Sequence, residues 1–490
     1  MMEALRIAAA IVVPWLAGYA WLRALRGDSR SNAFIDWGYG HFLGLLITTV
    51  MMRAAGLAGL PFSFGVLLPS LLAATAAGGA LAWRTARKRA VRARAPGEAV
   101  ATAGERILAA VAVALLAWRV GALAVDVGLR PLFPWDAWTQ WATKARVWSE
   151  LHRFVPFIPF EDWLARAPGY TDVAPHYPFT VPLLQAWIAI AQGHFDDAMI
   201  NLPWLAGYVA LGLAIFGQAR RAGVTVAWSI VAAYVVLSLP LLDTHVALAG
   251  YADFHVAAAF ALALMALIAW EQDRERFQLL LAVATALMLP LLKVPGFVWG
   301  SIVALGVLVA AFGSASWRRI LLLGVAMGAL AVAGAAVLWR ERLTELKVAA
   351  PVDFLGSLAD NLFVFDNWHL LWYLLPLALY VGRREAVTRM RGATVALACG
   401  AAFLAVVFTG TQVSAWVTDY TTVNRALLHV APAAAVFGFL LVWRWAGARQ
   451  LADDAMRAAL QAPAVAQQAL EIGDGPREAV AQTDAGRPAE

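Results

Sequence analysis

Apolar segments of nearly twenty residues, separated by short arginine clusters, recur along most of this chain. Of its 490 residues, 62% are hydrophobic and 14% are charged, a share of charge too small to cover a soluble protein of that length. A helix of about 20 apolar residues spans the hydrocarbon core of a bilayer and satisfies its own backbone hydrogen bonds there. The sequence therefore predicts an all-α fold, a polytopic transmembrane helical bundle of about 13 helices.

The arginine clusters indicate which helix ends face the cytoplasm, because basic residues collect in the cytoplasmic loops of membrane proteins. The clearest cluster is RTARKRAVRAR at 84–94. Others stand at 220–221, 274–276, 318–319, 383–391 and from 444 onward. These loops account for the net charge of +6, so we expect no nucleic-acid partner. We expect a multi-pass protein of the bacterial cytoplasmic (inner) membrane whose N-terminus lies outside.

Alternation between the two sides of the membrane assigns the crossing segments. They are expected near 4–24, 36–54, 61–83, 105–127, 199–218, 223–241, 251–270, 277–292, 296–313, 320–339, 367–382, 393–410 and 427–445. The segment 177–193 is short and starts with two prolines. A full crossing there would place Arg220 and Arg221 outside, so we expect it to insert only partly or at a strong tilt.

Four regions follow from this topology. Residues 1–104 hold three extra N-terminal helices and the basic cytoplasmic loop, and 105–313 form a central membrane core with an outer loop at 128–178. Residues 314–449 form the C-terminal transmembrane helices. From 450 to 490 the composition turns to Ala, Gln, Glu, Asp and Pro, which predicts a disordered cytoplasmic tail. The single cysteine, Cys399, excludes an intramolecular disulfide and a zinc site built on several thiolates.

Four tryptophans and one aspartate crowd the stretch PWDAWTQWATKARVW at 134–148. At helical spacing the tryptophans share one stripe, while Asp136, Gln140 and Lys144 share another. This pattern predicts an interfacial amphipathic helix in the first large outer loop, with the tryptophans at the level of the lipid headgroups. Asp136 fits a helix cap, and it also fits a functional carboxylate.

Two further stretches place polar residues on the same outer side, where a charge needs a partner or a function. His176 and Tyr177 precede the prolines of PHYPFTVPLLQAW, a pattern that also fits a proline-kinked helix start. In GYADFHVAAAF, Asp253 opens an apolar helix and His255 follows it. Asp253 fits a helix cap, or a general base or metal ligand together with His255.

Two cationic residues are also expected on the outer side. Lys293 separates two apolar helices in LPLLKVPGFVWG, and an ammonium beside a helix N-terminus favours phosphate. A lysine that snorkels to the interface is the other interpretation. Arg425, in TDYTTVNRALLHVAP, breaks the positive-inside rule and has His429 one turn on. It indicates an anionic partner or an ion pair with Asp419.

These stretches, in this order, resemble the GT-C superfamily of membrane glycosyltransferases, whose relatives include protein O-mannosyltransferases and lipid A aminoarabinose transferases. WDAWTQWATKARVW resembles the family's acidic first outer loop with its interfacial helix, and YPFTVPLLQAW its Tyr-Pro-Pro-Leu…Trp segment. YADFHVA resembles the Asp that opens a later helix, LLKVPGF the Lys-x-x-Gly step, and NRALLHVAP the later part of bacterial members. The likeness covers roughly residues 105 to 300, and one acid stands where many members have an adjacent pair.

The resemblance implies an enzyme of the cell-envelope glycan. It would transfer a sugar, with inversion, from a polyprenyl phosphate donor to a lipid, glycan or protein acceptor on the periplasmic side. Asp136 would be the catalytic base, and Asp253 would be a second catalytic residue that supports the acceptor or a divalent cation. The substrate-binding residues would be Lys293, Arg425, His176, Tyr177, His255 and Lys144. No cofactor is certain, and a divalent cation stays open, with its ligands unassigned.

Two other functions fit the same outer charges. A transporter or flippase of an anionic lipid-linked substrate would place charge along both halves of its pathway, whereas the residues above collect on one side. A polysaccharide polymerase or ligase would use the charged residues of a later outer loop. That loop, 340–366, carries Arg340, Arg342, Lys347, Asp353, Asp360 and Asp366.

Overall fold

The fold comes from a computed structural model, which describes residues 1–27, 29, 32–87, 101–248, 250–312, 355–410, 412–450 and 453. Within these ranges the chain is almost entirely helical, apart from a parallel pair of two-residue strands, β1 (Phe157–Ile158) and β2 (Tyr170–Thr171). Eight of the described helices are long and apolar enough to cross a membrane. The expected helical architecture with membrane-length helices is confirmed.

The helices of the first half begin with α1 (Met2–Leu25), α2 (Ala33–Leu57), α3 (Phe64–Arg87) and α4 (Ala103–Leu129). After α4 come a π-helix (Ala137–Ala142), α5 (Thr143–Leu151), α6 (Phe160–Leu164), α7 (Thr180–Gln192) and a 3-10 turn (Met199–Asn201). The central helices are α8 (Leu202–Arg221), α9 (Val226–Leu237), α10 (Pro240–Ala247), α11 (Asp253–Asp273), α12 (Arg276–Leu292) and α13 (Gly296–Phe312).

The described C-terminal part contains shorter elements between two long helices. They are α14 (Leu355–Ala359), a π-helix (Asp360–Val364), α15 (Leu371–Val381), α16 (Arg383–Thr388), α17 (Arg391–Gly410), a 3-10 turn (Gln412–Trp416), α18 (Thr422–Leu428) and α19 (Ala431–Gln450). The helices of membrane length are α1, α2, α3, α4, α8 with its preceding turn, α11, α17 and α19.

Several expected crossing segments form helices shorter than 18 residues. α12 and α13 have 17 residues each, and α15 has 11. The expected helix at 223–241 is instead two helices, α9 and α10, bent by 66°. Pro240 explains the break, because proline has no N–H and moves the residue before it out of the helical conformation. The expected crossing at 320–339 and most of the tail at 450–490 lie outside the described residues.

α11 is the central helix of the bundle. Every residue from Asp253 to Trp270 is buried. The helix is apolar on all sides and rich in alanine, and such a helix packs closely against neighbours on every face. Tyr39 of α2 donates a hydrogen bond to the carbonyl oxygen of Leu262 at 2.8 Å, so the N-terminal helices pack directly onto this core.

Three connections that contain arginine, at Arg221, Arg274 and Arg391, meet at one end of the bundle. Arg221, at the end of α8, pairs with Asp273 and with Glu275, the latter at 3.0 Å, between α11 and α12. Arg274 and Arg391 each donate to the carbonyl oxygen of Ala310 near the end of α13, at 2.7 and 3.0 Å. Because α11 runs from Asp253 to Asp273, Asp253 lies at the opposite end of the bundle.

α7 lies along the first outer loop. Its 13 residues are all buried, and at 1.5 Å per residue it is about 20 Å long, too short for a hydrocarbon core. Leu183, Ala186 and Trp187 pack against Ala145 and Trp148 of α5. The chain on either side of α7 also returns to this loop, because Tyr177 contacts Trp141 and Phe195 packs against Ala142. α7 is thus a short buried helix, and the partial insertion of 177–193 into a membrane stays a prediction.

Candidate functional site

A cavity of about 630 Å³ lies at the end of the bundle opposite Arg221, Arg274 and Arg391. It is bordered by the loop after α4, the segment before α7, the start of α11, the α12–α13 connection, α17 and α18. Its polar lining consists of Asp136, Gln140, His176, Tyr177, Asp253, Lys293, Thr422, Arg425 and His429. Six of the eight residues predicted for the site therefore share one cavity.

Asp253 is the buried centre of this group, with no exposed side-chain surface. Its Oδ1 accepts a hydrogen bond from the ammonium of Lys293 at 2.6 Å, and its Oδ2 accepts from the guanidinium of Arg425 at 3.1 Å. Ala252 is the N-cap of α11 and Asp253 lies in the first turn, where its charge favours the helix dipole, but its side-chain oxygens accept from Lys293 and Arg425 rather than from the helix start. A carboxylate surrounded by cationic donors is held ionised and has little capacity left to accept a proton or bind a metal.

Arg425 bridges the two carboxylates of the site. It donates to Asp136 Oδ2 at 2.6 Å as well as to Asp253, and its guanidinium lies 4.2 Å from the ring centroid of Tyr251. Burial acts to lower the pKa of Arg425, but the charges of Asp253 and Asp136 outweigh it, so the pKa is raised and the group stays charged. Asp419 does not pair with this arginine; it accepts hydrogen bonds from the backbone N–H groups of Thr421 and Thr422, at 2.8 and 2.9 Å.

Asp136 is the more accessible carboxylate, with 25% of its side chain exposed to the cavity. It directly precedes the π-helix, and its side chain makes no capping hydrogen bond to that helix, so the alternative that it serves only as a cap is wrong. Among the described residues, Asp136 has Arg425 as its polar partner. Of the two acids, Asp136 is therefore the one that a ligand in the cavity can reach.

His429 connects the site to the apolar interior. The indole N–H of Trp299 donates to His429 Nδ1 at 3.1 Å, which leaves the imidazole proton on Nε2. That Nε2–H points to Asp253 Oδ1 at 2.9 Å. The sequence marked His429 only as a neighbour of Arg425, and Trp299 had no role. The i, i+4 spacing of Arg425 and His429, which puts them on one helix face, was the available signal for His429.

Lys293 is a buried member of this cluster rather than a lysine extended to the interface, since only 11% of its side chain is exposed. Its position follows from the sequence after it. α12 ends at Leu292, and Gly296 opens α13 with its α-carbon so close to the backbone of Leu289 that a β-carbon would lie 1.9 Å from the Leu289 carbonyl oxygen. Only glycine fits this turn, which brings Lys293 to the start of α11.

Lys144 does not line the cavity, which corrects the prediction of a substrate-binding role. Its side chain is completely buried, pairs with Asp172, and donates to the carbonyl oxygens of Gln140 and Ala174 at 3.0 and 2.9 Å. Burial lowers the pKa of its ammonium, although the Asp172 charge acts in the opposite direction. Lys144 connects α5 to the segment before α7. The predicted polar stripe of Asp136, Gln140 and Lys144 therefore does not extend to Lys144.

His255 also lies outside the cavity, against the prediction. It is 1% exposed and packs against Trp204, with ring centroids 4.8 Å apart. Because Asp253 and His255 are two residues apart on α11, their side chains leave the helix in different directions. His176 and Tyr177 do line the cavity, and the Tyr177 ring packs 5.2 Å from that of Trp141.

The tryptophan stripe faces protein rather than lipid headgroups for part of its length. Trp141 and Trp148 are 1% and 0% exposed, and Trp148 donates its indole N–H to the carbonyl oxygen of Val155 at 3.0 Å. Trp135 and Trp138 remain open, at 64% and 45%. The prediction of a uniform interfacial tryptophan face is wrong, because α7 and the loop after α5 cover the second half of that face.

A second cavity, of about 480 Å³ and almost entirely apolar, adjoins the first. The two share Leu404 and Phe408 of α17. α18 separates them: Arg425 faces the polar cavity, whereas Val423 and Leu427 face the apolar one. The pair of cavities can hold an amphipathic molecule, with an anionic group near Lys293 and Arg425 and an apolar chain beside it.

The described residues contain no group of three or more His, Cys, Asp or Glu side chains that could hold a metal ion. A divalent cation therefore stays a prediction from the resemblance alone. Of the charged residues in the later loop 340–366, Arg340, Arg342, Lys347 and Asp353 lie outside the described residues. Asp366, which is described, pairs with His369 at 3.0 Å.

Comparison of the chain with protein-family models, with curated proteins and with solved structures finds no match.

Proposed function

We propose that this chain is a membrane glycosyltransferase of the GT-C type, which transfers a sugar from a polyprenyl phosphate donor to an acceptor on the periplasmic side. The observation that carries the proposal is the convergence of Asp136, Asp253, Lys293 and Arg425 on one cavity. These residues come from four separate parts of the sequence, and they include both an accessible acid and two cations.

The donor's phosphate lies against Lys293 and Arg425 in the proposed complex. Both cations are fixed by Asp253, so their positions are set before the donor arrives, and preorganised charge is the form of stabilisation that catalysis uses most effectively. The polyprenyl chain occupies the neighbouring apolar cavity lined by α15, α17, α18 and α19. This placement accounts for a lipid-linked donor rather than a soluble one.

Asp136 is the proposed base. It takes the proton from a hydroxyl or amine of the acceptor as that atom forms a bond to the anomeric carbon. The bond between the anomeric carbon and the phosphate oxygen breaks on the opposite face, and its electron pair stays on the phosphate. Lys293 and Arg425 stabilise the charge that develops there. Asp253 holds the two cations and takes no proton, a narrower role than the resemblance implies.

The location of the site supports an enzyme over a transporter. The four converging charges lie at one end of the bundle, and the connections that contain Arg221, Arg274 and Arg391 lie at the other. A site at one end suits transfer on one side of the membrane, and the positive-inside rule assigns that side to the periplasm.

The test is the substitution Asp136→Asn, assayed with a radiolabelled polyprenyl phosphate sugar in reconstituted vesicles. Asparagine keeps an oxygen that accepts from Arg425 but cannot take a proton, so we expect the transfer rate to fall by about 10²–10⁴ while the fold is kept. Asp126→Asn is the matched control, since Asp126 lies on α4 in an exposed pair with Arg130. Full transfer activity in Asp136→Asn would exclude the assignment.

A further inference from the structure

An arginine lies in the middle of α4, a helix that otherwise reads as an apolar membrane span. Arg119 forms an ion pair with Asp243 of α10, and their side chains are 28% and 16% exposed. A charge at this depth is costly and is kept where it has a partner and a purpose. Nothing in the proposed chemistry uses this pair, because neither residue lines the polar cavity.

α4 is largely exposed and packs along one face against α8, α9 and α10. Of its 27 residues, only Ala112, Leu123 and Val127 are buried. The ion pair of Arg119 joins this face of α4 to Asp243 of α10. The chain leaves α4 at Leu129 and reaches Asp136 through residues 130–134, which form no helix. The position of Asp136 consequently depends on the position of α4.

Asp243 lies on the segment that leads to the other carboxylate. α10 ends at Ala247, and Asp253 opens α11 a few residues later. α10 itself begins at the break after α9, where the backbone loses its helical hydrogen bonds. The hydroxyl of Tyr208 lies 2.5 Å from the carbonyl oxygen of Leu237 at this break and 2.9 Å from Asp243 Oδ1. Tyr208 thus links both the end of α9 and Asp243 to α8.

We propose that Arg119, Asp243 and Tyr208 form a positioning cluster that sets the segment carrying Asp136 relative to the segment carrying Asp253. The two carboxylates share Arg425, at 2.6 and 3.1 Å, so a small displacement between the segments changes both contacts. A displacement of about 1 Å in a catalytic group can reduce a rate by about 10². The proposal rests on the proposed glycosyltransferase function, in which Asp136 must reach the acceptor.

The kinetic test uses Arg119→Gln in the full chain, with the labelled polyprenyl phosphate sugar as donor. We expect kcat to fall by about 100-fold while the KM for the donor stays within about threefold, because Lys293 and Arg425 are held by Asp253. Arg119→Lys keeps the charge and should retain most of the kcat. Arg130→Gln is the matched control, because it removes an exposed ion pair at the end of the same helix. A wild-type kcat in Arg119→Gln overturns the proposal.

A distance measurement tests the cluster without any assay of transfer. Spin labels are placed at Leu129→Cys and Thr244→Cys, both exposed, with Cys399→Ser as the background. We expect a narrow distance distribution in the otherwise native chain and a broadened one with Arg119→Gln. Tyr208→Phe, which removes only the hydroxyl, should broaden it to a smaller extent and serves if Arg119→Gln does not fold.

The outcomes separate this proposal from the function on which it rests. Absence of transfer in the wild-type protein, with the distance distribution still dependent on Arg119, would count against the glycosyltransferase and leave the cluster standing. Transfer in the wild type together with unchanged distances in both Arg119→Gln and Tyr208→Phe would exclude the cluster. An equal loss of kcat in Arg130→Gln would also exclude it, because the effect would then not be specific to the pair.

Discussion

The two acids of the polar cavity differ in how their oxygen atoms are used, and this difference assigns their roles. Asp253 has Lys293 and His429 on one oxygen and Arg425 on the other, with no exposed surface. Asp136 has one cationic partner and an exposed fraction of 25%. A base must have a free oxygen to take a proton, so the accessible acid suits catalysis and the buried one suits support.

This assignment predicts that substitution at Asp253 lowers stability and substitution at Asp136 does not. Asp253→Ala leaves Lys293 and Arg425 buried without their shared partner, and loss of one member of a buried pair costs about 3–5 kcal/mol. We expect the free energy of unfolding to fall by that amount, while Asp136→Asn leaves it nearly unchanged. Thermal unfolding of both variants in the same detergent measures this. Equal midpoints for Asp253→Ala and the wild type would show that Asp253 does not hold the cations.

Lys144 allows a test of a prediction that the structure corrects. Its ammonium is buried against Asp172, so Lys144→Ala should lower stability by about 3–5 kcal/mol and leave the donor KM unchanged. The double variant Lys144→Met with Asp172→Leu should recover most of the stability, because apolar residues of similar volume replace a buried pair at little cost. A donor KM altered in the folded double variant would restore a substrate role for Lys144.

At the level of single residues, the sequence identified the charges but not their partners. Asp136, Asp253, Lys293 and Arg425 stood out because each is a charge in an apolar context, a signal that one sequence contains. Which oxygen meets which nitrogen depends on packing between distant helices, and no spacing rule contains that information. Lys144 shows the limit: helical phase grouped it with Asp136, whereas the fold turned it toward Asp172.

Among the elements, α18 is the short helix that carries Arg425 into the site. Its start is fastened by Asp419, which accepts from the N–H groups of Thr421 and Thr422 and from the Thr422 hydroxyl, the last at 2.8 Å. Burial alone would raise the pKa of Asp419, but these hydrogen bonds outweigh it and hold the pKa below its ordinary value. A lowered pKa means that the contribution to stability is present above the ordinary pKa and is lost as the pH falls through the lowered value.

We therefore predict that Asp419→Ala loosens α18, while Asp419→Asn retains part of the turn. Loss of a cap of this kind costs about 1 kcal/mol, which corresponds to about fivefold faster opening of the helix. Hydrogen exchange of the backbone amides at 421–428 measures this directly. Exchange rates that do not differ between Asp419→Ala and the wild type would show that α18 is held by its packing alone.

The helices that are long and apolar were predictable from the sequence. The positions at which a helix breaks were not. α1 to α4 agree with the expected segments because composition over a full span dominates. Pro240 signals the break between α9 and α10, whereas the predicted crossing 223–241 runs through it. Backbone groups that the break leaves without helical hydrogen bonds find partners far along the chain. His369 lies 2.8 Å from the carbonyl oxygen of Ser238, and Leu241 N–H donates to the carbonyl oxygen of Asn367 at 3.2 Å. Such partners cannot be read from the local sequence.

For the whole molecule, orientation in the membrane is the property that both the proposed donor and the positive-inside rule require. We predict that the cavity end faces outward. In a Cys399→Ser background, Val173→Cys at the cavity should react with a membrane-impermeant maleimide in intact cells. Gln272→Cys, exposed beside the arginine connections, should react only after the membrane is permeabilised. The reverse pattern would place the site in the cytoplasm and rule out the proposed reaction on the periplasmic side.

The balance of charge in the polar cavity has a consequence for selectivity. Two carboxylates face one lysine and one arginine, so these four side chains together carry almost no net charge. Small anions that are abundant in solution, such as inorganic phosphate, therefore gain little from entering the cavity, since the two carboxylates already offset the charge of the cations. A ligand with a long hydrocarbon chain gains free energy from the neighbouring apolar cavity as well. Discrimination between a lipid-linked phosphate and a free one then comes mainly from the chain, and we expect binding to depend weakly on salt concentration.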